Sequence, residues 1–169
     1  MFFCFYIYSC TGYASTQKEL GDIGRYAIPV SAALISVFNL DSEGIGQLVL
    51  STVAVQTTTE VLKKVAHEKR PNGSSYNSFP SGHVSSAFTG ASFVHFRYNF
   101  NYSIPLYLGS AYVAYTRVQA NAHYPHDVLA GALIGIAGTY LFTTKFNEEN
   151  ISLVADTQYA GILYRKIFD

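Results

Sequence analysis

Apolar residues in this chain are concentrated in five stretches, and short polar segments separate them. The stretches cover residues 26–40, 45–67, 82–96, 104–117 and 126–145. No strand-like alternation and no internal repeat stands out, so we interpret all five as helices. Residues 16–25 are polar and predict a short helix or loop on a surface. The tail from residue 146 is polar at first and amphipathic around residues 162–168.

Small residues recur on two of these predicted helices. Gly131, Gly135 and Gly138 fall at i, i+4 and i+7, and Ala87 and Gly90 begin a similar face that continues through Ala91 and Val94. Such faces allow helices to approach closely, in a membrane or in a soluble bundle. A full span needs about 20 residues, so the stretches are short for bilayer helices. We nevertheless expect an all-α bundle of about five to six helices that is membrane-embedded, because the two small-residue faces lie on segments that are almost free of charge.

The distribution of charge supports this expectation. The formal net charge is zero, 13% of residues are charged, and the chain has 14 Tyr and 12 Phe. Between residues 71 and 144 the only Asp, Glu, Lys or Arg residues are Arg97, Arg117 and Asp127. Charges are costly in so apolar a setting, which makes these three functional candidates. There is no basic patch for nucleic acid, and no obligate protein partner is evident.

The first fourteen residues form an apolar segment of their own. Gly12 and Ala14 fit a small-x-small cleavage site before Ser15, although no positive region precedes the apolar run. We expect residues 1–14 to be a signal peptide or an N-terminal apolar segment, and residues 15–169 to be a single domain. Cys4 and Cys10 are the only cysteines, so no disulfide framework or zinc pattern is predicted.

Three clusters of polar residues lie at the ends of the predicted helices and in the loops that join them. The first is Lys63 followed, after six residues, by Arg70-Pro71. The second is Pro80-Ser81-Gly82-His83. The third is Thr116-Arg117, followed after five residues by His123 and after three more by Asp127. Each alone has an ordinary structural interpretation, such as a solvated helix end or a turn. Taken together they indicate phosphoryl transfer, because a phosphate needs several cationic donors and the backbone N–H groups of a helix start. Two histidines can serve as nucleophile and proton donor, and a carboxylate can fix one histidine's tautomer.

In these clusters the chain resembles the type 2 phosphatidic acid phosphatase (PAP2) superfamily, which includes class A bacterial acid phosphatases and vanadium haloperoxidases. The family pattern is Lys-x6-Arg-Pro, Pro-Ser-Gly-His and Ser-Arg-x5-His-x3-Asp, and only Thr116 departs from it. The resemblance implies that His123 is the nucleophile, that His83 is the acid and that Asp127 orients His123. It also implies that phosphate is bound by Lys63, Arg70, Ser81, Gly82, Thr116 and Arg117.

The same resemblance implies a phosphatase without a metal or other cofactor, with vanadate acting as a phosphate mimic. Its substrate would be a membrane lipid phosphate: phosphatidate, phosphatidylglycerol phosphate, a polyprenyl (di)phosphate or a lipid A type. Successive antiparallel helices would bring all three clusters to one end of the bundle. We place that end on the extracytoplasmic side of a bacterial inner membrane, or in the periplasm.

Four alternatives stay open from the sequence. They are a soluble periplasmic acid phosphatase of broad specificity, a vanadium-dependent haloperoxidase, a non-enzymatic anion-binding membrane protein, and a metal protein that uses His123, His126 and Asp127. His95 and His126 lie outside the family pattern, and we expect them to serve local packing.

Overall fold

A computed structural model shows five helices followed by a β-hairpin. The elements are α1 (Phe2–Phe38), α2 (Ser42–Ala66), α3 (Gly82–Arg97), α4 (Phe100–Gln119), α5 (Pro125–Phe142), β1 (Asn150–Asp156) and β2 (Tyr159–Arg165), with the two strands antiparallel. The structure describes the backbone of residues 2–146, 150–156 and 159–165, and the side chains of residues 19–146. The predicted helical bundle is confirmed.

Three segments differ from the sequence prediction. Residues 16–25 are not a separate loop but part of the continuous helix α1, which also contains Pro29. Helix α4 begins four residues earlier than predicted, because the side chain of Asn99 accepts a hydrogen bond from the N–H of Asn101 at 2.9 Å. The tail forms β1 and β2 where we predicted an amphipathic segment. The two strands are joined by two residues, so they pair as a hairpin, which the apolar pattern of residues 162–168 taken alone did not indicate.

Helix α3 is the centre of the bundle and packs against the other four helices. Its side chains Val84, Ala87, Ala91, Phe93 and Val94 are fully buried. Small residues bring the neighbouring helices close to it, as the sequence predicted. A Cβ on Gly131 would lie 2.6 Å from the carbonyl oxygen of Ser81, and one on Gly135 would lie 2.7 Å from that of Ser85. Helix α5 can therefore lie directly against the start of α3.

Arg97 has a structural role at the end of the bundle opposite the clusters. Its guanidinium donates to both carboxylate oxygens of Asp41, at 2.6 and 2.7 Å, and both side chains are 3% exposed. Burial raises the pKa of Asp41, but hydrogen bonds from Arg97, the Gly44 N–H and Tyr98 outweigh that effect and leave the pKa lowered. The pair joins the loop after α1 to the end of α3, which explains why Arg97 persists in an apolar segment.

The outer faces of the bundle expose large apolar side chains. Leu34 on α1, Val53 on α2, Leu108 on α4 and Leu133 on α5 are each at least half exposed. By length and composition, one helical segment among the described residues, Glu19–Phe38, could cross a membrane. Apolar surface of this extent on several neighbouring helices is typical of a protein that contacts lipid or another apolar partner.

Candidate active site

The three polar clusters meet at one end of the bundle, as the order of the helices predicted. A Cβ on Gly82, at the start of α3, would lie 3.1 Å from Nζ of Lys63, which belongs to the last turn of α2. The N–H of Ser81 donates to the carbonyl oxygen of Asp127 in the first turn of α5 at 3.0 Å. Residues far apart in the sequence therefore form one site around the start of α3.

His123 lies in the loop between α4 and α5 and is held by the backbone. Its Nδ1 is 2.8 Å from the carbonyl oxygen of Ser78, and the side chain is 2% exposed. A carbonyl oxygen only accepts hydrogen bonds, so Nδ1 carries the proton and Nε2 keeps its lone pair. This is the tautomer that a nucleophilic histidine requires.

Asp127, which the family resemblance implies orients His123, lies beside it without a direct hydrogen bond. Its Oδ2 is 3.6 Å from Nδ1 of His123, too far for a hydrogen bond. The same oxygen instead accepts hydrogen bonds from the hydroxyl of Ser78 and from the N–H of Tyr124 at 2.8 Å. Asp127 thus fixes the two backbone segments between which His123 is placed. Ser78 lies two residues before the Pro80-Ser81-Gly82-His83 motif and was not among the predicted site residues.

Burial and charge keep the imidazole of His123 neutral. Burial is the largest influence and Arg70 the next, and together they lower the pKa of His123 to about 4 although Asp127 opposes them. At neutral pH the lone pair on Nε2 is therefore available. A neutral histidine beside cationic side chains is suited to attack an anionic phosphate that those cations hold.

Several polar groups at the site have unused hydrogen-bonding capacity. Ser81 is the N-cap residue of α3 and is fully buried, yet its hydroxyl makes no hydrogen bond with the described part of the chain. Nε of Arg70 is likewise buried and unpaired there. Burial lowers the pKa of Arg70, and the nearby charge of Arg117 lowers it further. Adjacent guanidinium groups and a buried hydroxyl are what an oxyanion would satisfy.

Two predicted phosphate-binding side chains have partners within the protein. Nζ of Lys63 is 2.8 Å from a carboxylate oxygen of Glu60, one turn earlier on α2. The hydroxyl of Thr116 donates to the carbonyl oxygen of Val113 at 2.7 Å and is buried. The resemblance implied a phosphate contact for Thr116, whereas the structure shows its hydroxyl bound to the backbone.

Asp22 on α1 is a further residue at the site that was not predicted from the sequence. Its Oδ1 is 2.8 Å from Nε2 of His83 and also 2.8 Å from Nη1 of Arg117. A Cβ on Gly21 would clash with Arg117 and Thr116, and one on Gly24 would clash with Val113. The Gly-Asp-Ile-Gly segment thus lets α1 lie tightly against α4. An acidic residue between two glycines was the signal that could have revealed it.

The metal-binding alternative can also be compared with the geometry. Among the residues whose side chains are described, the group spaced for a metal ion is Glu68, His126 and Asp127, whose ligand atoms lie within 4.8 Å of one another. Nε2 of His126 is 3.0 Å from Glu68 and 3.1 Å from Asp127. His123 is not a member of this group. The trio considered from the sequence shares His126 and Asp127 with it. His95 packs among Phe96, Phe100 and Tyr107, as expected.

In this helical bundle, two histidines, several cationic side chains and a helix N-terminus lie together at one end. This arrangement is typical of proteins that bind phosphate beside a nucleophile. The family model that describes the PAP2 superfamily matches residues 44–151. The chain belongs to this superfamily, and the family predicted from the sequence is confirmed.

Named relatives and a solved structure agree with this membership. A "Lipid A 4'-phosphatase" of Helicobacter pylori is 31% identical over 143 residues, which are 78% of this chain and 72% of the relative. A "Lipid A 1-phosphatase" of Porphyromonas gingivalis is 39% identical over 70 residues, 40% of this chain but only 16% of that protein. The crystal structure of Aquifex aeolicus LpxE superposes with a TM-score of 0.65 at 25% identity, covering 76% of this chain and 84% of that one.

Proposed function

We propose that the protein is a metal-independent phosphatase that hydrolyses the phosphate monoester of a membrane lipid, of the lipid A type. The observation that carries the proposal is the bond from Nδ1 of His123 to the carbonyl oxygen of Ser78, which leaves Nε2 of a neutral imidazole free. The cationic groups and the free hydroxyl of Ser81 around it supply donors for a phosphate dianion.

The reaction runs in two steps. Nε2 of His123 attacks phosphorus, the phosphorus–oxygen ester bond breaks, and His83 gives a proton to the departing alcohol oxygen. His83 then takes a proton from water, the resulting hydroxide attacks phosphorus, the phosphorus–nitrogen bond breaks, and inorganic phosphate leaves. Lys63, Arg70, Arg117, Ser81 and the N–H of Gly82 hold the phosphate, with Thr116 packed behind them. Vanadate is expected to bind as a phosphate mimic.

Two observations support a lipid substrate. Both named relatives are phosphatases of lipid A, and the outer faces of the bundle are apolar on four helices. In our proposal residues 15–169 form one domain in a bacterial inner membrane, with the site facing the extracytoplasmic side. Residues 1–14 are a signal peptide or an N-terminal apolar segment. The proposal needs no protein or nucleic-acid partner.

The test is phosphate release from lipid A, phosphatidate, phosphatidylglycerol phosphate, a polyprenyl phosphate and one water-soluble ester, with EDTA present. We expect release from lipid A to be fastest and to vanish in His123→Ala. His83→Ala should slow turnover on the order of 10²–10⁴-fold, the usual range for acid–base catalysis. The matched control is His95→Ala, a histidine at the opposite end of α3, which should retain wild-type release.

Three negative results of this test would each contradict a different part of the proposal. Loss of wild-type activity in EDTA would point to a metal at Glu68, His126 and Asp127 and would contradict the metal-free mechanism. Fastest release from the water-soluble ester would favour the broad acid phosphatase. No release from any ester by folded protein would contradict the proposed function as a whole.

A further inference from the structure

Asp22 is the one carboxylate on α1 that reaches the candidate site. Its Oδ1 lies 2.8 Å from Nε2 of His83 and 2.8 Å from Nη1 of Arg117, so a single oxygen joins the proposed acid to a proposed phosphate-binding side chain. The carboxylate belongs to none of the three sequence clusters. It comes from a different helix, which the packing of the bundle brings to the site.

The backbone around Asp22 is built for this close approach. Gly21 faces Arg117 and Thr116, Gly24 faces Val113, and neither position has room for a Cβ. Helix α1 can therefore lie against the last turns of α4 closely enough for a side chain as short as aspartate to reach Arg117. The Asp22 side chain is 45% exposed and that of His83 is 21% exposed, so the pair lies at the open side of the site.

We infer that Asp22 is a positioning residue for proton transfer: its carboxylate holds the proton-bearing Nε2 of His83 and fixes the imidazolium beside Arg117. The inference rests on the proposed function. Protonated histidine carries a proton on each ring nitrogen. In this arrangement Nε2 keeps its proton and donates it in a hydrogen bond to Asp22, while the Nδ1 proton passes to the departing alcohol oxygen as the ester bond breaks.

Burial and the positive charges of Arg117 and Arg25 disfavour the protonated form of His83, and the contact with Asp22 opposes them. Arg25 on α1, Lys63 on α2 and Arg117 on α4 are cationic, and His123 lies nearby in the loop before α5. Asp127 on α5 is close to this end of α3, but its Oδ2 already accepts hydrogen bonds from the hydroxyl of Ser78 and the N–H of Tyr124. A carboxylate in direct contact with an imidazolium stabilises it by electrostatic attraction. Asp22 is the residue that supplies this contact.

The experiment compares wild type, Asp22→Asn and the matched control Glu19→Gln, which removes an exposed acidic charge one turn earlier on α1. Each is assayed from pH 4 to pH 9 on two soluble esters, an alkyl phosphate and p-nitrophenyl phosphate. The alkyl alcohol needs a proton to leave, whereas p-nitrophenolate does not. Vanadate inhibition is measured in parallel, and melting temperatures establish that the variants are folded.

We expect Asp22→Asn to lower kcat on the alkyl ester on the order of tenfold or more, and kcat on p-nitrophenyl phosphate by less than about threefold. The alkaline limb of the kcat profile should move to lower pH by about one unit, as expected for loss of an adjacent opposite charge. Glu19→Gln should match wild type on both esters. Should the amide variant not fold, Asp22→Ser at this half-exposed position provides the same readouts.

Two results would overturn the inference while leaving the proposed function intact. Equal losses on both esters with an unmoved alkaline limb would show that Asp22 only supports the packing of α1. Tighter vanadate binding with raised kcat/KM on both esters would show instead that Asp22 competes with phosphate for Arg117. Wild-type protein that releases phosphate from neither soluble ester nor any lipid would contradict the proposed function itself.

Discussion

His123 illustrates how one side chain acquires its properties from several weak contacts. The carbonyl oxygen of Ser78 sets which nitrogen carries the proton, and burial with Arg70 lowers the pKa to about 4. The sequence predicted the residue and its chemistry. It could not predict that Asp127 acts through Ser78, because both Ser78 and Asp127 are plausible partners until the backbone is folded.

A pH profile tests this account of His123. Protonation of Nε2 removes the nucleophile, so kcat/KM of the wild type should fall only as pH drops towards about 4. Arg70→Gln removes a nearby positive charge, which should raise the pKa of His123 and move the acid limb to higher pH, besides weakening phosphate binding. Measuring both proteins on the same ester cancels the substrate's own ionisation. An acid limb that does not move in Arg70→Gln would contradict the electrostatic explanation.

At the level of the helices, the approach of α5 to α3 determines where the site residues lie. Gly131 and Gly135 contact carbonyl oxygens of Ser81 and Ser85 with no room for a side chain. The i, i+4 spacing of these glycines predicted close packing from the sequence alone. Which helix they face depended on the bundle: Gly138, one turn further on, faces Val55 of α2.

A single added methyl group tests that packing. In Gly131→Ala the Cβ would lie 2.6 Å from the Ser81 carbonyl, so α5 must move away from α3. We expect a loss of about 1–3 kcal/mol in the free energy of unfolding, typical of overpacking, together with reduced activity because Ser81 moves. The matched control is Gly46→Ala in α2, where nothing lies within 4 Å of the added atom. Its higher helix propensity should leave stability equal or raised by up to about 1 kcal/mol.

Denaturant unfolding of both variants measures the difference. If Gly131→Ala were as stable and active as Gly46→Ala, the two helices would not be in close contact at this position.

The molecule as a whole has a polar site at one end, a buried ion pair at the other and apolar outer faces between them. Asp41 and Arg97 link α1 and α3 far from the site, while α1 contributes Asp22 at the site itself. Large exposed apolar residues on α1, α2, α4 and α5 surround the buried helix α3. Such a distribution is unfavourable in water and favourable in lipid.

Membrane extraction tests the whole-molecule interpretation. We expect the protein to sediment with membranes, to stay there in high salt and alkaline carbonate, and to be released by detergent, because apolar contact rather than charge holds it. Zero net charge makes an electrostatic surface attachment weak. Release by salt alone, or a detergent-free monomer in solution, would contradict membrane embedding and favour a soluble periplasmic enzyme.

The sequence by itself determined the helices, the three clusters and the end of the bundle at which they meet. Hydrophobic periodicity and fixed motif spacing are local properties, so both can be read along the chain. Only the tertiary structure decided that α1 is continuous through residues 16–25. It also decided that Asp22 contacts His83 and Arg117, and that Ser78 lies between His123 and Asp127. These contacts join residues 45 to 95 positions apart, and such pairings depend on helix packing, which no local pattern specifies.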